Sequence, residues 1–426
     1  MNSRIAGVLL LSWPLVLHAN TADDDTRATD AQSLDRVVVT ANRTPQAESD
    51  TLAPTTVITR ADIERLQAES VTELLRRSPG INVANEGGPG KLTSVYMRGT
   101  ESDHVLVLVD GVRYGDATSG IPAIQDLPVG QIERIEIVRG PRSSLYGADA
   151  IGGVIQIFTR DGGEGTKPYF SAGTGSHDRH QGRIGLSGGD GRLNYNVSYG
   201  LENTDGFDAC DAFSACFADE PDDDGYERID ASARVGYRFS DALRVDAHAL
   251  HTRGDVEFDG STTNESENTR EVYGLSVTGR PAGAWRVKLA AGHNRDESES
   301  FLDGSYVNTF ETERDTLSLQ NDITLAPGNL LTLGLDYRRE ELTSSADYKE
   351  DERDNKGVFA QYLGRWGRHE IQLAGRGDDN EQFGEHATGS ATYGFDLTGR
   401  HTVSVSYGTA FKAPTFNELY YPDFPG

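Results

Sequence analysis

Two textures divide the chain. From Asp161 onward, apolar and polar positions alternate with period two in segment after segment. In LNYNVSYGL the apolar set is Leu193, Tyr195, Val197, Tyr199 and Leu201, with polar residues or Gly between them. ASARVGYRF repeats the pattern with Ala231, Ala233, Val235, Tyr237 and Phe239. LLTLGLDYRRE gives Leu331, Leu333, Leu335 and Tyr337, and HTVSVSYGTAF gives Val403, Val405, Tyr407 and Phe411. Period two places successive side chains on opposite faces of a strand, so the pattern predicts a long series of antiparallel strands. Residues 44–160 read differently. TRADIERLQAESVTELLRRSPG holds two capping-box patterns, Thr59-x-x-Asp62 and Ser70-x-x-Glu73, each ahead of an amphipathic helical run, and Pro79-Gly80 stops the second. The strands LTSVYMRG, HVLVLVDGVR, IERIEIVRG and GGVIQIFTR follow, so this region is expected to be a compact α+β domain.

Alternation alone fits a soluble sheet with one wet face. Three features favour a transmembrane antiparallel β-barrel. The segments are many, they continue to the end of the chain, and no second apolar set is present to build a soluble core. The apolar faces also end in aromatics (Tyr199, Tyr237, Phe239, Tyr337 and Phe411), as interfacial girdles do. An overall hydrophobic fraction of 36% agrees with strands that are half polar.

Charge narrows the function. The 426 residues carry 40 Lys or Arg against 67 Asp or Glu, a net of −27, which argues against a nucleic-acid binder. Between Leu201 and Asp230 eleven acidic residues face a single Arg, so this loop is either solvated or a cation site. Arg4, the apolar stretch Val8–Val16 and a small residue at Ala19 or Ala22 read as a signal peptide over residues 1–22. No later apolar run approaches the ~20 residues of a membrane helix. In an exported protein, Cys210 and Cys216 of the acidic loop are expected to form one disulfide. GLSGG at Gly185–Gly189 matches a nucleophile elbow, but a strand pattern follows where a helix is required, and no other motif calls for an enzyme.

SLDRVVVTANR, Ser33–Arg43, is a β-branched stretch with no evident strand to pair with, and such an edge is a liability. MRGTESDHVLVLVDGVR (Met97–Arg113) and IERIEIVRGPRSSLYGADAIGGVIQI (Ile132–Ile157) resemble the plug signature of TonB-dependent outer-membrane receptors, and DRVVVTA resembles their TonB box. The likeness is to the cobalamin-transporting members, through TANRTPQ, VRGPRSSLYGADAIGGV and the acidic loop.

That resemblance implies a plug inside a barrel in the outer membrane of a Gram-negative bacterium. The domains are then a periplasmic N-terminal segment at 23–43, the plug at 44–160 and the barrel at 161–426. It implies TonB-dependent uptake of cobalamin or a related corrinoid, with a ferric-siderophore or haem receptor as the alternative and a passive porin or adhesin behind it. TonB would engage the box (Asp35, Arg36, Val37, Val38, Val39, Thr40 and Ala41) by strand addition. Calcium is the implied cofactor, with Asp208, Asp222, Asp224 and Asp259 as ligands. The plug signature residues Arg98, Gly99, Arg139, Gly140, Pro141 and Arg142 are expected to fold the plug, with the three arginines facing barrel-wall carboxylates. Plug apices at Asn85–Lys91 and Gly115–Asp126 nominate Asn85, Ser119 and Gln125 for the ligand, and lipid and lipopolysaccharide would surround the barrel. Plugged transporters have roughly 22 strands, so a partial barrel of about 12 to 14 strands is expected, its C-terminal part missing.

Overall fold

A computed structural model describes residues 38–39, 42–210, 220–398 and 401–422. The TonB-box residues other than Val38 and Val39, the signal-peptide region and Cys216 lie outside the described residues.

The helices of the first domain form where the capping residues put them. At α1 (Arg60–Leu66) the Thr59 side chain accepts from the Asp62 amide while the Asp62 carboxylate accepts from the Thr59 amide, a complete capping box. At α2 (Val71–Arg76) Ser70 accepts from the Glu73 amide, and Val71, Leu74 and Leu75 are buried. They pack against a five-stranded sheet of β3 (Thr55–Thr59), β8 (Ile132–Arg139), β9 (Gly153–Thr159), β6 (Val105–Val109) and β7 (Val112–Arg113), in that order. Only β6–β9 is parallel. The hairpin β4 (Ile81–Asn85) and β5 (Thr93–Met97) stands apart and carries the NEGGPGK apex.

The alternating text becomes one thirteen-stranded meander. Its strands are β10 (Gly165–Thr174), β11 (His180–Gly189), β12 (Leu193–Thr204), β13 (Tyr226–Ser240), β14 (Leu243–Glu257), β15 (Glu265–Ala282) and β16 (Trp285–Leu302). It continues through β17 (Ser305–Ala326), β18 (Asn329–Ser344), β19 (Glu352–Trp366), β20 (His369–Asn380), β21 (Gly384–Thr398) and β22 (His401–Gly408). Every strand pairs antiparallel with its sequence neighbour. Turns such as 241–242 and 283–284 are short at one end, whereas connections at the other include the acidic loop 205–225. Ser187 lies inside β11, where the strand runs straight through the GLSGG pattern. A short helix α3 (Phe416–Tyr420) follows the sheet.

The sheet is inside out relative to a soluble protein. Val197, Leu335 and Val358 are 50%, 54% and 57% exposed on one face, while Asn196, Ser198 and Thr332 are 2%, 4% and 1% exposed on the other, against the plug. An apolar outer band with a polar inner face is the arrangement lipid demands of strands.

The edge-like N-terminal stretch is not without a partner. Val38 and Val39 (β1) pair antiparallel with Ala47 and Gln46 of β2 (Gln46–Ala47). The return is made past Arg43, whose φ is +60°. Periodicity could not reveal a two-residue ladder of this kind, so the expectation of an unpaired strand is corrected.

Placing a cation in the outer apolar band should be costly. Leu335→Arg is expected to lower the stability of the lipid-inserted protein by about 2–4 kcal/mol, read from denaturant titration in vesicles.

Candidate ligand site

At the long-loop end, plug and barrel enclose a cavity of about 800 Å³. The β4–β5 apex contributes Glu86, Gly87 and Lys91, and the following plug loop contributes Asp116, Thr118 and Gln125. The acidic loop adds Cys210 and Asp224, the β14–β15 loop adds Asp259, and β15–β17 supply Arg270, Asp296 and Thr312.

Gln125 is the nominated ligand residue that reaches the cavity, and its Oε1 is buried without a hydrogen-bond partner among the described residues. Asn85 and Ser119 serve their own loops. Asn85 donates to Gly88 O (2.9 Å) and Thr93 Oγ1 (2.9 Å) and accepts from the Gly88 amide (2.7 Å). Ser119 Oγ donates to Asp116 Oδ2 at 2.8 Å.

Sequence reasoning did not single out Lys91. Its Nζ donates to the carbonyls of Asp224 (2.8 Å) and Gly225 (3.1 Å), tying the plug apex to the acidic loop. Burial pushes its ammonium down to about 8, opposed by Asp224, Glu257 and Asp259. On the cavity wall Arg270 makes ion contacts with plug Asp126 (3.2 Å) and barrel Asp296 (3.1 Å).

The four nominated calcium ligands share one electrostatic neighbourhood. Burial, and then Asp224, Asp208, Glu220 and Asp222, push the Asp259 carboxyl up to about 6. Asp259 Oδ2 is buried with no hydrogen-bond partner among the described residues. A carboxylate oxygen left orphaned amid like charges suits a cation. The ligand atoms are not gathered within coordinating distance of one another. The group that is gathered among the described residues is Glu101, Asp103 and His104, where Asp103 pairs with Lys412 at 3.4 Å. Cys210 is disulfide-bonded, while its expected partner Cys216 lies outside the described residues.

The plug signature arginines do not face barrel carboxylates among the described residues, which corrects that expectation. Arg139 bonds Pro79 O (2.7 Å) and Thr56 Oγ1 (2.9 Å) inside the plug. Arg142 lies near Tyr146 and Arg98, with its Nε buried and unpartnered. Arg98, Gly99 and Gly140 all have positive φ.

The ion pairs that cross from plug to barrel mostly run the other way, with the plug supplying the carboxylate. Asp110 pairs with Arg234, and Asp126 with Arg270. Asp149 pairs with Arg338 (3.7 Å) and with Lys412 (3.2 Å) just past β22. Burial alone would raise the Asp149 carboxyl, yet Lys412, Arg113 and Arg338 hold it far below the usual carboxylate range.

Among the described residues the exception is Arg43, just after the box region. It grips Asp336 of β18 with both nitrogens (2.7 and 3.0 Å), and its guanidinium lies 4.4 Å from the Phe359 ring centre. Gln320 and Gln361 hold the carbonyls of Arg43 and Asn42. The TANR motif contains Arg43, but nothing in its spacing points to a partner 293 residues away.

Known proteins agree with this architecture. Residues 47–154 match the TonB-dependent receptor plug domain, and residues 248–425 match the TonB-dependent receptor-like β-barrel. The chain is 36% identical over 404 residues to a vitamin B12 transporter, BtuB, of Photobacterium profundum, covering 93% of this chain and 65% of that one. It therefore spans about two thirds of that relative's length. Among solved structures, the siderophore receptor PirA from Acinetobacter baumannii superposes with a TM-score of 0.72 at 19% identity, covering 86% of this chain and 62% of that one. A variant of the ferric enterobactin receptor PfeA from Pseudomonas aeruginosa gives 0.72 at 20% identity, covering 87% and 63%. Plug signature, inverted sheet and sequence matches agree: the chain belongs to the TonB-dependent receptors, plugged β-barrels of the Gram-negative outer membrane.

Proposed function

We propose that the protein takes up cobalamin, or a related corrinoid, across the outer membrane in a TonB-dependent cycle. The observation that carries this reading is the 36% identity, over 93% of the chain, to a vitamin B12 transporter. The likeness to siderophore receptors is below 25% identity and speaks to the fold alone.

The ligand enters the cavity bounded by the plug apex, Gln125 and the acidic loop. Asp208, Asp222, Asp224 and Asp259 would hold calcium once drawn together, and its positive charge would offset their mutual repulsion. Lys91 transmits the loop position to the plug apex through the two carbonyls it holds. Energy arrives at the other end of the plug. TonB adds as a strand to the box, in competition with the two-residue ladder to Gln46–Ala47. A pull there loads the Arg43–Asp336 pair before the rest of the plug. An ion pair of this kind has a modest net strength once the desolvation of both charges is counted.

Titrating the full-length receptor with cyanocobalamin, with and without a calcium chelator, tests the ligand. Nanomolar-range binding that the chelator weakens at least about tenfold is expected, and no binding in either condition ends the cobalamin reading.

The pH dependence follows from Asp259. Because its cation-free carboxyl is raised to about 6, the folded loop takes up a proton more readily than the unfolded chain does. Acidification through that value therefore stabilises the cation-free loop and displaces calcium. Isothermal calcium titrations should show affinity falling as pH drops through about 6, and Asp259→Asn should bind calcium more weakly at pH 7 with a shallower pH dependence.

Val38→Pro removes an amide that strand addition uses. It is expected to abolish uptake while leaving surface binding of cyanocobalamin intact, and persistent uptake would make the stretch a linker.

A further inference from the structure

A second cavity, of about 460 Å³, lies on the same strands nearer the short turns, between the wall and the plug turn Asp110–Val112. The two cavities follow one another down the wall. Arg270, Asp296 and Thr312 line the upper one, and Thr278, Lys288 and Gln320 of the same three strands line the lower. The plug divides them. Val112 sits so close to Gly292 of β16 that a Cβ there would lie 2.6 Å from a Val112 methyl carbon. Arg314 holds Gly115 O at 2.9 Å, and Thr312 accepts from the Ala117 amide at 3.3 Å.

The lower chamber is lined by paired charges with one cation in excess. Eight Arg or Lys side chains line it against three aspartates. Each of the seven arginines has a carboxylate partner, such as Arg286 with Asp322 and Arg244 with Asp246. Lys288 has neither an ion pair nor a hydrogen bond among the described residues. Among the charges acting most strongly on it are Arg43, Arg286 and Arg234, opposed by Asp246. Beside it, His248 Nε2 is buried and unpartnered, the ring lying over Gly274 of β15, where a Cβ would be 2.1 Å away. An uncompensated ammonium among like charges in a confined space attracts an anion strongly.

We propose that this chamber is a second ligand site, a transit pocket that takes a phosphate-type anionic group, with Lys288 and His248 as its unpartnered contacts. Its place on a transit route rests on the uptake reading, whereas its anion affinity does not. Displacing β7 from Gly292 joins the two cavities along β15–β17, so an anionic ligand released from the upper site meets Lys288 next.

Two measurements test this on the full-length receptor. In the first, an amine-acylating reagent is applied with and without inorganic phosphate, and modification is followed by peptide mass spectrometry. Phosphate should slow acylation of Lys288 several-fold while leaving outward-facing Lys356 unaffected, and equal rates at Lys288 overturn the site. In the second, Lys288→Met should lower the uptake rate of cyanocobalamin about tenfold with surface binding unchanged, and Lys288→Arg should retain most of it. Unchanged uptake in Lys288→Met, or an equal loss of surface binding, overturns the transit role. A wild-type receptor that carries a ferric catecholate but not cyanocobalamin would replace the corrinoid reading, and the phosphate result would still decide the chamber.

Discussion

The polarity inversion of the barrel governs the rest of the structure. Lipid outside requires apolar side chains on the outer face, and period-two alternation then forces polar ones onto the inner face. Asn196, Asp230, Thr332 and Glu340 are buried on that wall. A plug seated against such a wall cannot be held chiefly by apolar contact. It is held by ion pairs and hydrogen bonds, with scattered apolar touches such as Val112 on Gly292 and Leu52 on Gly394.

That kind of interface is suited to being opened. Buried ion pairs lose much of their Coulombic gain to desolvation, so plug and wall fit specifically without adhering as an apolar core would. The plug keeps an apolar core, with Val71, Leu75, Ile135 and Ile155 at 0% exposure, that reaches the wall at Leu250 and Val272. Force applied at the N-terminal segment therefore meets polar contacts with the wall before it meets that core. Arg43 stands first in line because it sits on the short return between β1 and β2.

Much of this was legible in the residues. The capping boxes located both helices, and the alternating segments located the strands. The acidic loop announced itself by composition, and the plug signature carried the family. The direction of the plug–wall ion pairs was not legible. Arg139 looks like a partner for a wall carboxylate, yet it turns inward to Pro79 and Thr56. Asp110 looks like an ordinary turn residue, yet it meets Arg234 of β13. Asn85 and Ser119 looked available to a ligand because loop composition cannot tell a free amide from one already bonded to its own turn.

By itself, then, the sequence determined everything that depends on neighbours along the chain. Helix starts, strand faces, the lipid-facing band and the density of acid in one loop all follow from spacing and local hydrogen bonding. Tertiary structure alone decided which distant charges meet, because register and docking set those distances. It joined Arg43 to Asp336, Lys91 to the carbonyls of the acidic loop, and Val112 to the glycine gap on β16. It also left Lys288 facing a chamber between plug and wall, without an ion pair among the described residues, which nothing in its local sequence foretells.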